Sequence, residues 1–159
     1  MKNFITILVL SLSSSMLCFS QNISNSTNAE LTKVLQHHVR FPRELSEKKE
    51  AIAFSIKLTF SESGLSKVVA SKFTPAKMIP QLTDLSIFQS VNWEKIFNRK
   101  VKNNDQLIIP IVIYNPQENS STFYEYTLED LFQYPGEKSD FINCLIMQTY
   151  SLHYSPAKI

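Results

Sequence analysis

A run of alternating apolar and polar residues constrains the fold more than any other feature of this chain. Its apolar members are Ile52, Phe54, Ile56, Leu58 and Phe60, and smaller or more polar residues lie between them. A period of two over nine residues is typical of a β-strand with one buried face and one solvated face. Burying five such side chains contributes on the order of 8–15 kcal/mol before the entropy of ordering is subtracted.

Two further strands are predicted downstream. The turn residues that end in Gly64 are followed by residues 65–73, which predict a strand that pairs back as a hairpin. Residues 107–114 predict a third strand that is apolar on both faces, which is typical of a central or covered strand. Pro110 has no backbone N–H to donate and favours an edge position. Both observations together predict an edge strand that something else covers.

Two helices are expected beside these strands. Thr27 and Glu30 have the spacing of a capping box, and the apolar residues that follow have helical spacing until Phe41-Pro42 ends the helix. Residues 82–90 predict a second helix, and Trp93 comes directly after it. We expect Trp93 to fill the gap between this helix and the sheet.

The first twenty residues have the layout of a secretory signal peptide. Lys2 provides the positive start, residues 4–12 form a short apolar run, and the small residues Cys18 and Ser20 precede a cut before Gln21. Two other interpretations are a retained N-terminal anchor and lipid modification of Cys18, although the residue before Cys18 is bulky. The prediction is an exported protein, periplasmic or secreted after cleavage before Gln21.

Composition argues against several classes of function. The formal net charge of +2 gives no sign of the basic face that a nucleic-acid binder needs. The chain has only two glycines, Gly64 and Gly136, and phosphate-binding loops require several. His37 and His38 are adjacent on the predicted helix and point about 100° apart, so they do not chelate one metal ion together. No cofactor and no metal site is predicted.

Cys144 and His153 are the one nucleophile and base that the sequence suggests as a pair. Cys144 is the single cysteine of the predicted mature chain, so no internal disulfide is expected. The chain has neither a Gly-x-Ser-x-Gly elbow nor a His-Glu-x-x-His motif. A buried structural thiol explains Cys144 more simply. We predict that the chain is not an enzyme, with a small secreted hydrolase using Cys144 or His153 as an alternative.

The order of these features resembles the C-terminal domain of TonB-type energy transducers, in the form common in Bacteroidota. That domain has a helix ending in an aromatic-Pro pair, here Arg40-Phe41-Pro42, and a strand ending in an acidic turn with glycine, here residues 58–64. Its tryptophan is matched by Trp93, and its final Pro-containing strand by residues 109–113. The resemblance covers residues 29–114 and implies an α+β fold, with two helices packed on a three-stranded antiparallel sheet.

The residue patterns and the resemblance together predict a domain organisation. We expect a signal peptide at 1–20, a flexible N-terminus at 21–28, the TonB-like domain at 29–114, a linker at 115–122 and a C-terminal extension at 123–159. Only residues 21–28 separate the predicted leader from the domain, so we expect neither the membrane anchor nor the Pro-rich arm of a transducer. The extension is apolar enough to dock on the domain as a helix or as a strand.

The last strand of the TonB-like domain is the expected binding site. In transducers of this family, a segment of the outer-membrane receptor is thought to add beside that strand, and an unpaired strand edge offers backbone groups that an extended peptide can pair. The resemblance therefore implies a non-enzymatic interaction domain in transport that binds a peptide of an envelope protein, such as an outer-membrane receptor. Two alternatives are that residues 123–159 cover the same edge, or that two copies form a homodimer through it. The expected partner-binding residues are Leu107, Ile108, Ile109, Pro110, Ile111, Val112, Ile113 and Tyr114.

Overall fold

The computed structural model describes residues 29–44, 51–116, 131–136 and 144–153. Within these ranges helices pack on a mixed sheet, so the predicted α+β class is confirmed. The predicted signal peptide, the N-terminal segment before residue 29 and most of the predicted linker lie outside the described residues. No helix in the described ranges is long and apolar enough to cross a membrane.

The sheet is built around a hairpin and a central strand. β1 (Ile52–Ser61) and β2 (Gly64–Ala70) form the antiparallel hairpin, and β3 (Gln106–Tyr114) pairs antiparallel with the other side of β1. β4 (Cys144–Ile146) and β5 (Tyr150–His153) both pair in parallel with β3. The prediction of three antiparallel strands is wrong, because the C-terminal extension supplies two further strands and makes the sheet mixed and five-stranded.

The turn between β1 and β2 depends on Gly64. Its φ of 115° is accessible to glycine and strained for a residue with a Cβ, which agrees with the predicted glycine turn. β2 ends at Ala70 rather than at the predicted Phe73, because the chain turns where the Thr74 N–H donates to the Ser71 carbonyl.

Several helical segments pack on the same face of the sheet. α1 (Ala29–His38) ends before Phe41-Pro42, as predicted. The prediction of one continuous second helix is wrong, because α2 (Ile79–Thr83), a 3₁₀ helix (Leu85–Phe88) and α3 (Trp93–Phe97) take its place.

Side-chain caps explain this interruption. Asp84 has an extended backbone, and its carboxylate accepts a hydrogen bond of 2.9 Å from the Ser86 N–H. Asn92 caps α3 in the same way, because its side-chain oxygen accepts from the Lys95 N–H at 3.1 Å. Short polar side chains of this kind compete with helix hydrogen bonds and start new helices.

One hydrophobic core lies between the helices and the sheet. The ring centroid of Trp93 lies 5.1 Å from that of Phe60 in β1 and 6.1 Å from that of Phe88 in the 3₁₀ helix. Trp93 therefore fills the predicted gap, although it begins α3 instead of following a helix. The core side chains of β1 and β3 alternate along each strand and are Ile52, Phe54, Ile56, Leu58, Phe60, Leu107, Ile109, Ile111 and Ile113.

Residues 131–136 contact the opposite face of the sheet. The Tyr134 hydroxyl lies 2.7 Å from Ser55 Oγ, and Lys57 Nζ lies 4.6 Å from the centre of the Tyr134 ring. Burial raises the pKa of Tyr134 to about 12, and burial also lowers the pKa of Lys57, which is 3% exposed. These contacts anchor part of the C-terminal extension to β1.

Candidate functional site: the outer side of β3

β3, the predicted edge strand, has partners on both of its sides. One side pairs with β1 from Gln106 to Ile113, and the other pairs with β4 and β5. The prediction that this strand is an edge is therefore wrong. The alternative in which the C-terminal extension covers it within the same chain is confirmed. We call residues 144–153 the resident segment.

The backbone groups of β3 point alternately to the two sides. The Met147 N–H donates to the Ile108 carbonyl at 2.9 Å, so the backbone groups of Ile108 face the resident segment. Because this direction alternates along a strand, those of Val112 face the same way, and those of Ile109 and Ile111 face β1. The even-numbered residues of β3 therefore form the strand-accepting side.

Pro110 lies where the pairing with the resident segment is interrupted. The first parallel stretch ends at Ile108 opposite Ile146, and the second begins at Ile111 opposite Tyr150. The resident segment therefore has one more residue than β3 between the two stretches, as in a β-bulge. The N–H that Pro110 lacks would point into this interruption. A proline is tolerated in a central strand here because no ladder hydrogen bond is lost.

Four side chains of the resident segment point toward the core. Met147 belongs to the core and is 7% exposed, while Leu145, Tyr150 and Leu152 are partly buried against it. The Tyr150 hydroxyl donates to the carbonyl of Thr32 in α1 at 3.2 Å, and burial raises the pKa of Tyr150. The resident segment therefore lies in a groove between β3 and α1.

Of the other side chains of the resident segment, Cys144 is half-buried, and the remaining ones are exposed. Ile146 is 48% exposed, although it is a large apolar residue. His153 Nε2 lies 2.7 Å from the Tyr114 hydroxyl, and the two rings are 4.5 Å apart between centroids in an edge-on arrangement. This exposed contact lies at the carboxyl end of the pairing between β3 and β5.

An ion pair fixes the start of β3. The Arg99 guanidinium donates two hydrogen bonds, of 2.6 and 2.8 Å, to the buried Asp105 carboxylate, which also accepts from the Lys102 N–H. The hydrogen bonds from Arg99 hold the pKa of Asp105 below its usual range. The Phe60 N–H donates to the Asp105 carbonyl, so this ion pair is also joined to β1 by a backbone hydrogen bond.

The structure places Cys144 and His153 at opposite ends of β3. Cys144 pairs with Gln106, and His153 pairs with Tyr114. Eight residue steps of about 3.3 Å separate these positions by about 26 Å. The alternative of a nucleophile–base pair is therefore wrong. Within the described part of the chain, no group of three or more His, Cys, Asp or Glu side chains could hold a metal ion.

Sequence reasoning missed the residues that occupy the groove. Leu145 and Met147 are two positions apart, as are Tyr150 and Leu152, and each pair alone has the alternation of a strand. The step of three between the pairs interrupts that alternation, so the segment gives no clear period. The contact between Tyr150 and Thr32 joins residues far apart in sequence and leaves no local signal.

Comparison of the chain with protein-family models, curated proteins and solved structures found no match. The resemblance to TonB-type domains therefore stays an expectation from sequence. The geometry of β3 and its neighbours is what bears on function.

Proposed function

We propose that this chain is an exported, non-enzymatic protein-interaction domain that binds an extended peptide of another envelope protein along the outer side of β3. The supporting observation is that this side pairs in parallel with an extended segment that follows β3 after a long connection. Backbone pairing of this kind is how strand addition gives affinity, while side-chain pockets give specificity. The site is occupied by the chain itself, so a partner must displace the resident segment.

The pairing of the resident segment favours such an exchange. Its two stretches contain three and four paired residues, and the interruption at Pro110 separates them. Met147 is the one buried side chain among residues 144–153. Segments with few buried contacts and short ladders open locally at a lower free energy than the whole fold.

The strand that would receive the partner is held rigidly. Its other side pairs with β1 over eight consecutive residues, and the ion pair between Arg99 and Asp105 holds the residue that directly precedes the strand. The core side chains of β3 are fully buried, so opening the groove does not require β3 to move. A preorganised strand lowers the ordering cost of binding.

A second candidate function uses the same surface. The resident segment of one copy could pair with β3 of another copy, which would make a symmetric homodimer by exchange of an identical element. The observation that favours it is the same parallel pairing, because β3 of any copy offers the same groove to that sequence. A partner peptide and a second copy are then competitors for one site.

The test is an NMR titration of the ¹⁵N-labelled chain, expressed from Gln21, with peptides from the N-terminal segments of outer-membrane receptors. We expect a binding peptide to shift the amide signals of Ile108 and Val112 more than those of Ile109 and Ile111. The amide chemical shifts of the resident segment should move at the same time toward the values of an unstructured chain.

Three other outcomes count against the proposal. If no peptide changes the signals of Ile108 or the resident segment, peptide capture is wrong. If the shifts centre on Val68 in β2, the peptide adds to the opposite end of the sheet instead. If light scattering shows doubling of mass without peptide, and the peptides do not reverse it, the homodimer is the better account.

A further inference from the structure

We infer that the partner is an extended segment with four apolar side chains at successive spacings of two, three and two residues, oriented parallel to β3. This inference rests on the proposed function, because it takes the resident segment as the template for the incoming strand. The third apolar position is expected to be a tyrosine. The resulting pattern is apolar-x-apolar-x-x-Tyr-x-apolar.

The spacing follows from the way the resident segment pairs with β3 on either side of Pro110. Paired residues in parallel strands place their side chains on the same face. Leu145 lies opposite Leu107, and Leu152 lies opposite Ile113, so both point into the core. The intervening step of three is imposed by the interruption at Pro110, which belongs to β3 and remains when another strand replaces the resident segment. A strand with uninterrupted alternation would place one of its carbonyl groups opposite the ring of Pro110, where β3 has no N–H to donate.

Tyrosine at the third position satisfies a backbone acceptor of α1. The Tyr150 ring packs against the core, and its hydroxyl reaches the Thr32 carbonyl at 3.2 Å. A phenylalanine would keep the apolar contact and lose this hydrogen bond. An aliphatic residue would also lose this hydrogen bond and would fill less of the space that the ring occupies.

The positions between the apolar side chains tolerate variation. Ile146, Gln148 and Ser151 are exposed, so their side chains contribute little to the groove. The direction of the strand is also specified, because both stretches pair in parallel with β3. The carboxyl end of a partner strand therefore lies beside Tyr114, where His153 lies in the resident segment.

A panel of synthetic peptides tests the pattern. The parent peptide has the sequence of residues 144–153 with Cys144→Ser to prevent disulfide formation. One variant lacks Gln148 and so has spacings of two, two and two. A second carries Leu145→Ser, and its matched control carries Ile146→Ser on the outward face. A third carries Tyr150→Phe, and a fourth has the sequence reversed.

Affinities are measured by titration into the full-length mature chain that carries Met147→Ala, which weakens the resident segment. The same peptides are also titrated into the protein with Tyr150→Phe and into the protein without a substitution. These two proteins keep the test valid if Met147→Ala impairs folding. We expect the Gln148 deletion, Leu145→Ser and the reversed peptide to bind at least about tenfold more weakly than the parent. Tyr150→Phe in the peptide should cost about two- to tenfold, and Ile146→Ser should cost less than Leu145→Ser because Ile146 is 48% exposed.

Two results would overturn this inference in different ways. If the parent and the Gln148 deletion bind equally well and both shift Ile108, the spacing rule is wrong while peptide capture on β3 stands. If no peptide of the panel shifts Ile108 in any of the three chains, both the spacing rule and the proposed function are wrong.

Discussion

Replacing Met147 with alanine should release the resident segment while leaving the rest of the sheet intact. Met147 is 7% exposed and belongs to the core, yet it lies between two short paired stretches. Truncating a buried methionine to alanine costs about 2–5 kcal/mol, and a site near the surface that can relax belongs at the lower end. A cost of about 2–3 kcal/mol corresponds to about a 30- to 150-fold rise in the open population.

The assay is native-state amide hydrogen exchange followed by NMR. The amides of Ile108 and Val112 face the resident segment, whereas those of Ile109 and Ile111 face β1. We expect Met147→Ala to accelerate amide exchange at Ile108 and Val112 by about 30- to 150-fold. Exchange at Ile109 and Ile111 should change much less. The comparison between neighbouring residues of one strand removes differences in overall stability.

Met147→Leu is the matched control, because it keeps an apolar side chain of similar volume and should cost less than about 1.5 kcal/mol. Equal acceleration of all four amides in the alanine variant would mean that the resident segment unfolds only with the whole domain. Unchanged exchange at Ile108 and Val112 would mean that Met147 does not hold the segment. Either result would refute the reasoning that links this side chain to opening of the groove.

Three further predictions concern the scaffold around the site. Tyr134→Phe removes the hydroxyl beside Ser55 and should lower the free energy of unfolding by about 1 kcal/mol in urea denaturation; an unchanged midpoint would refute a stabilising role for this bond. Gly64→Ala forces a Cβ into a positive-φ turn and should cost about 1–2 kcal/mol in the same assay, with no loss as the contradicting result. Because the pKa of Asp105 is lowered by Arg99, its stabilisation is complete above the unfolded-state pKa and is lost as pH falls through the folded-state pKa. Wild type should therefore lose more unfolding free energy than Asp105→Asn between about pH 5 and pH 2, and parallel curves would contradict this.

Much of the sheet can be predicted from the sequence, because its signals are local. The alternation from Ile52 to Phe60 identifies β1, and the apolar run from Leu107 to Tyr114 identifies β3 to within one residue. Gly64 identifies the hairpin turn. The second helix was predicted wrongly because apolar spacing alone does not register the caps at Asp84 and Asn92.

The sequence left the neighbour of β3 open between a partner peptide, a second copy and the chain's own extension, because strand pairing across a long connection leaves no local signal. Pro110 illustrates the difficulty. Proline favours an edge in general, but its effect depends on which side of the strand the missing N–H would face. Here that side meets a bulge of the resident segment, so the strand is central in spite of its proline.

Competition between the resident segment and an incoming peptide is the central claim, and one ratio tests it directly. When the competent state is rare, the apparent Kd equals the intrinsic Kd divided by the open fraction. The Kd of the parent peptide for wild type, divided by its Kd for Met147→Ala, should therefore equal the ratio by which exchange at Ile108 and Val112 accelerates. A Kd that stays the same in both chains while those amides exchange faster would show that the peptide binds elsewhere, and the account of β3 as a strand-accepting site would be wrong.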